Sequence, residues 1–148
     1  MSTLTASTQF DAATTAQIRP TEGFVTAAPA VILRIEGSLV FAAACAAYAW
    51  IGGGWGLFAL LFLAPDLSML GYLAGRTVGA VGYNIGHSYI LPAVLGVTGI
   101  VLAQPLLVSL ALIWVAHIGF DRMLGYGLSY PTAFGHTHLG VVGKLRRA

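Results

Sequence analysis

The chain has 148 residues, of which 57% are hydrophobic and only 8% charged, with a net charge of +2. An ordinary soluble domain carries about 25% charged residues, so there is too little charge here to cover a water-exposed surface. Composition excludes a soluble globular protein, and the few basic residues serve membrane topology rather than nucleic-acid binding. The single cysteine, Cys45, lies among alanines and has no partner for an intrachain disulfide.

Residues 1–29 are rich in Ser, Thr, Ala and Gln and lack the apolar core of a secretory signal, so they predict a disordered tail. Residues 30–148 predict a four-span membrane domain with a short C-terminal segment. The first apolar run covers Ile35 to Ile51, with Glu36 near its start, and Gly52-Gly53-Gly54 ends it. Trp50 and Trp55 flank that break, as interfacial aromatics do. The second run covers Gly56 to Gly75 and carries Pro65-Asp66 inside it. The third covers Tyr83 to Ala103 and holds Asn84, His87 and Pro92. The fourth follows the Gln104-Pro105 turn and runs from Leu106 to Tyr126, and Pro131 prevents its continuation. Each run is long enough for a bilayer core, which needs about 20 apolar residues per helix.

The expected fold is therefore all-α, a four-helix transmembrane bundle. All seven Lys and Arg residues fall on the side that holds both termini, and the two opposite loops have none. The positive-inside rule makes that side cytoplasmic. The same frame assigns depth. Asp66 lies about ten residues, roughly 15 Å along a helix, before Arg76. His87 and Asn84 lie one turn or so into the third run, and His117 and Asp121 near the inner end of the fourth. His136 and His138 follow in the tail and can fold back beneath the bundle.

Ionisable groups inside a membrane are costly and face the bundle interior. Each has an ordinary structural reading. Asp66 can bond backbone groups freed by Pro65, His87 can bond a facing helix, and His117 and Asp121 can pair at i and i+4. A divalent metal accounts for the whole set at once. Imidazole and carboxylate are usual ligands for zinc, manganese or iron. Asp66, His87, His117 and Asp121 are the expected ligands. His138, with Asp121, is the expected acid–base group, and Asn84, Arg122, Tyr83 and His136 are expected to orient ligands or bind substrate. With no thiolate in the set, an iron–sulfur cluster is excluded. The spacings Gly75-x-x-x-Gly79 and Gly82-x-x-x-Gly86 predict close helix packing.

Three segments carry a family resemblance: Leu63-Ala-Pro-Asp-Leu-Ser-Met-Leu-Gly-Tyr72, Tyr83-Asn-Ile-Gly-His-Ser-Tyr89 and His117-Ile-Gly-Phe-Asp-Arg-Met-Leu-Gly-Tyr-Gly-Leu-Ser-Tyr-Pro131. With Thr137-His-Leu-Gly140 they resemble the small bacterial membrane family catalogued as domain of unknown function 4260. The resemblance implies a four-helix inner-membrane protein and assigns no activity. A looser similarity, confined to Pro65-Asp66 and Thr137-His138, is to bacterial inner-membrane metal-dependent hydrolases. These readings together point to a metal-dependent hydrolase acting on a lipophilic or interfacial substrate among membrane lipids. The rival reading is a non-enzymatic protein. It would hold a haem between His87 and His117, or act as an ion carrier that would need to form a homo-oligomer.

Overall fold

The computed structural model describes residues 27–131 and 136–141. Four helical segments are long and apolar enough to cross a membrane: Ala28–Trp50, Trp55–Ala74, Arg76–Val101 and Pro105–Leu124. The architecture is that of a helical membrane protein. The first segment is one continuous helix, α1 (Ala27–Trp50). It begins inside what the sequence predicts as tail, and the rest of that predicted tail lies outside the described residues. The fourth segment is α5 (Pro105–Leu124), opened by a proline in its first turn and closed by Gly125 at φ 94°. Gly125 N–H bonds Arg122 and Tyr126 N–H bonds Asp121, the pairing that a left-handed glycine allows at a helix end.

The two middle segments are broken. The second is α2 (Trp55–Leu61) followed by a 3-10 helix, η1 (Ala64–Ala74). The third is α3 (Arg76–Gly86) followed, after His87-Ser88-Tyr89, by α4 (Ile90–Val101). The sequence reading places Arg76 in a loop. Instead Gly75, at φ 125°, reverses the chain within one residue and Arg76 opens α3. Only a residue without Cβ takes that backbone cheaply.

A 3-10 helix has three residues per turn, so residues three apart line up. In η1 this sorts the side chains into three stripes. Leu67, Leu70 and Leu73 are exposed and apolar. Pro65, Ser68 and Gly71 face α3, where a Cβ on Gly79, Gly82 or Gly86 would meet Tyr72, Ser68 or Pro65. Asp66, Met69 and Tyr72 form the third stripe. The predicted glycine packing is present, with Gly75 serving as the turn and Gly79, Gly82 and Gly86 as the contact face.

Helix α5 is the centre of the bundle, packed between α1 and α4, while η1 and α3 form a separate antiparallel hairpin. Backbones of α1 and α5 approach closely. A Cβ on Gly119 would lie 2.7 Å from Phe41 N, and one on Gly37 would lie 2.7 Å from Met123 N. Arg34 of α1 donates from Nε to Met123 O (3.0 Å) and from Nη2 to Leu124 O (3.3 Å), which occupies carbonyls that a helix C-terminus leaves unpaired. Extended pairing among the described residues is confined to the tail, where β1 (His136–Thr137) pairs antiparallel with β2 (Gly140–Val141) and Thr137 bridges to Ser129.

Gly119→Ala is expected to cost about 1–3 kcal/mol, the usual range for overpacking a close contact. Gly56→Ala, where a Cβ meets nothing within 4 Å, is expected to be near neutral. Denaturation in detergent followed by near-ultraviolet circular dichroism checks both.

Candidate metal centre

The breaks in the two middle segments fall where the polar groups are. Asp66 lies one turn past the end of α2, and His87 ends α3. His117 and Asp121 project from one face of α5. These four residues converge. Each offers one donor atom, and the four atoms lie within 4.8 Å of one another. His87 Nε2 is 3.1 Å from His117 Nε2, 3.3 Å from Asp66 Oδ1 and 3.4 Å from Asp121 Oδ2. His117 Nε2 is 3.5 Å from Asp66 Oδ1 and 3.8 Å from Asp121 Oδ2.

A tetrahedral ion with bonds of about 2.0–2.2 Å holds its ligands roughly 3.3–3.6 Å apart. The five separations that involve an imidazole, 3.1–3.8 Å, bracket that spacing, and the two carboxylate oxygens lie within 4.8 Å of each other. Protons fit the arrangement less well. His87 Nδ1 is 3.0 Å from the Tyr83 carbonyl, an acceptor, so that nitrogen carries the ring proton and Nε2 presents a lone pair. Carboxylate oxygens present lone pairs too. Donors gathered this closely, with both imidazoles only 1% exposed, suit a cation between them. The donor set therefore fits a divalent ion by geometry and by charge, since two carboxylates neutralise it.

The ring orientations have identifiable causes. Tyr83 stacks on His87, centroids 3.8 Å apart at 14°, and its hydroxyl donates to Asp121 Oδ2 over 3.5 Å. Phe62 meets His117 edge-on at 5.5 Å. His117 Nδ1 is buried without a partner at full hydrogen-bond geometry, and the Phe62 backbone acts on that ring. The Phe62 carbonyl is available because of Pro65. A 3-10 helix would bond it from residue 65, which has no N–H. An α-helix would bond it from Asp66, whose N–H goes to Leu63 instead. Pro65-Asp66 thus delivers a carboxylate to His117 and leaves the Phe62 carbonyl without a donor from its own helix.

The broken end of α3 is also satisfied from α5. Trp114 Nε1 donates to Gly86 O (2.6 Å) and Arg122 Nη2 to His87 O (3.2 Å). Arg122 Nη1 donates to Tyr126 O (3.1 Å). Two of its nitrogens are thus spent on backbone carbonyls, where the sequence reading has it orienting a ligand or binding substrate. Asn84, expected to orient a ligand, grips the backbone of Ser129 instead. Its Oδ1 accepts from Ser129 N (2.7 Å) and its Nδ2 donates to Ser129 O (3.0 Å).

His138 does fold back under the bundle, but it stands apart from the four converging groups. Its Nδ1 accepts the Leu128 N–H (2.8 Å), and its own N–H bonds Leu128 O (3.1 Å). The His136 side chain lies outside the described residues. A haem between His87 and His117 is excluded, because nitrogens 3.1 Å apart with two carboxylates beside them leave no room for a porphyrin. Trp114 was missed in the sequence. Its position at i−3 from His117 on the same helical face was the available signal.

With this geometry in place, the comparison with known families is informative. Residues 30–142 match the domain of unknown function DUF4260. The chain belongs to that family. Neither a curated protein nor a solved structure matches it. The matched region contains every residue of the converging set and the segments that position them.

Burial, and then the Arg122 charge, push the His138 imidazole below its ordinary range, against the opposing Leu128 contact. A histidine that binds protons less well folded than unfolded contributes stability above its unfolded pKa, near 6.5, and loses it as pH falls below that value. Protonation also removes the Nδ1 lone pair that accepts from Leu128. The protection factor of the Leu128 amide, its exchange rate relative to the base-catalysed intrinsic rate at the same pH, is expected to fall between pH 7.5 and 5.5 in the wild type and to show no such fall in His138→Ala. Separately, Pro65→Ala restores an N–H that competes for the Phe62 carbonyl. It is expected to weaken metal affinity by about 10–100-fold, as loss of a ligand's hydrogen-bond partner does, measured by competition with a chromogenic chelator.

Proposed function

We propose that this protein is a membrane-embedded, zinc-dependent hydrolase whose ion is held by Asp66, His87, His117 and Asp121. The observation that supports the reading most strongly is the convergence, within 4.8 Å, of two imidazole and two carboxylate donors drawn from three different membrane segments. Zinc suits the set because it accepts nitrogen and oxygen donors in tetrahedral geometry and needs no redox partner. Such an ion lowers the pKa of bound water and polarises a carbonyl.

The protein's own groups divide the remaining work. His87 and His117 are the buried donors, Asp121 is half-buried, and Tyr83 fixes Asp121 through its hydroxyl. Asp66 is the most open, with 38% of its side chain exposed against 16% for Asp121. That makes Asp66 the donor that would give up its position to an attacking water and take that water's proton. In the overall reaction the water oxygen bonds the carbonyl carbon and the bond to the alcohol breaks. The proton held by Asp66 passes to the departing alcohol. His138 acts at one remove, by holding the segment after α5 beneath the site. The arrangement of Lys and Arg supports placing both termini in the cytoplasm, with the protein in a bacterial inner membrane.

Protein purified in detergent without chelator is expected to carry one zinc per chain and to hydrolyse activated esters. His117→Ala is expected to lose both the zinc and at least 100-fold in turnover while keeping its helical circular dichroism. A metal-free wild type would end the proposal.

A further inference from the structure

Among the described residues, the exposure of the site lies on its Asp66 side, while the segment after α5 packs against its end toward the tail. Asn84 and His87, at i and i+3, share a face of α3, and Asn84 holds the Ser129 backbone one turn beneath His87 through two hydrogen bonds. The Tyr72 hydroxyl meets Ser129 Oγ at 2.8 Å. Gly127 and Ser129 are buried, and Leu128 is bonded twice to His138. The stretch after α5 therefore plugs the end of the bundle.

Exposure at the site is concentrated at Asp66. Leu63 lies one 3-10 turn before it, 62% exposed, and Leu67 beside it is 66% exposed. Beyond the α3 break, Ile90 is exposed as well. Asp66 and His87 both sit near the middle of segments long and apolar enough to span a membrane. An open ligand at that depth, framed by exposed leucines, meets acyl chains rather than water.

We infer that the site is entered laterally from the bilayer beside Leu63 and Leu67, and that its substrate is a membrane-dissolved amphiphile with a long acyl chain on its hydrolysable carbonyl. This rests on the metal-hydrolase reading and specifies the substrate class for the same site. A chain lying along the leucine stripe of η1 brings its carbonyl to Asp66. A short, water-soluble ester has no comparable approach past the Ser129 plug.

Cobalt-loaded protein in phosphatidylcholine nanodiscs tests the route, because hydroxamates bind such a centre and shift its visible bands. Dodecanohydroxamate, dissolved in the lipid, is expected to shift them in the wild type. Leu63→Trp and Leu67→Trp should require at least tenfold more of it, and Leu73→Trp, farther along the same stripe, should require no more than wild type. Millimolar acetohydroxamate in the aqueous phase should leave the spectrum unchanged. If acetohydroxamate saturates the centre and neither Leu63→Trp nor Leu67→Trp has an effect, lateral entry is wrong while the metal site stands. If the wild type takes up no cobalt, the metal reading itself fails and this inference falls with it.

Discussion

The structure turns on one electrostatic constraint. Two carboxylates and two imidazoles meet inside an apolar bundle, and a positive ion between them would offset the cost of bringing them together there. Burying an unpaired charge costs several kcal/mol even after relaxation. Three of the four spans carry a donor, so whatever neutralises the set also ties those spans together. The fourth, α1, holds the other side of α5 in place through Gly37, Gly119 and Arg34. An ion at this point would act as a structural tie and as a reactive centre at once.

The two helix breaks are a consequence of that convergence. A continuous α-helix through Asp66 or His87 would give each residue only the directions its own turn allows. Switching to three residues per turn after Pro65 aims Asp66 along one stripe, and it keeps the leucines on another. Ending α3 at His87 leaves carbonyls that a membrane cannot solvate. Trp114 and Arg122 of α5 receive them. The face of α5 that supplies ligands therefore also supplies the groups that make the break tolerable.

Much of this was legible in the sequence, for physical reasons. Apolar runs of bilayer length give the spans directly. The scarcity of ionisable groups makes Asp66, His87, His117 and Asp121 conspicuous, and the cost of burying them argues that they meet. The breaks were not legible. Tyr83 to Ala103 reads as one apolar run, and although Pro92 sits in the first turn of α4, the sequence does not show how the end at His87-Ser88-Tyr89 is satisfied, because the donors come from α5. Arg122 and Asn84 look like ligand-binding groups for the same reason. Their partners are backbone atoms at Tyr126, His87 and Ser129, and a sequence pattern does not show which carbonyls are left free. The 3-10 stretch has a visible signature in Leu67, Leu70 and Leu73 at intervals of three, which an α-helical reading absorbs as ordinary lipid-facing residues.

X-ray absorption at the zinc edge of the purified, metal-loaded protein tests the central claim most directly. The account predicts a four-coordinate first shell of nitrogen and oxygen at about 2.0–2.1 Å, with outer-shell scattering from two imidazoles. A six-coordinate shell of oxygen without imidazole scattering would contradict it.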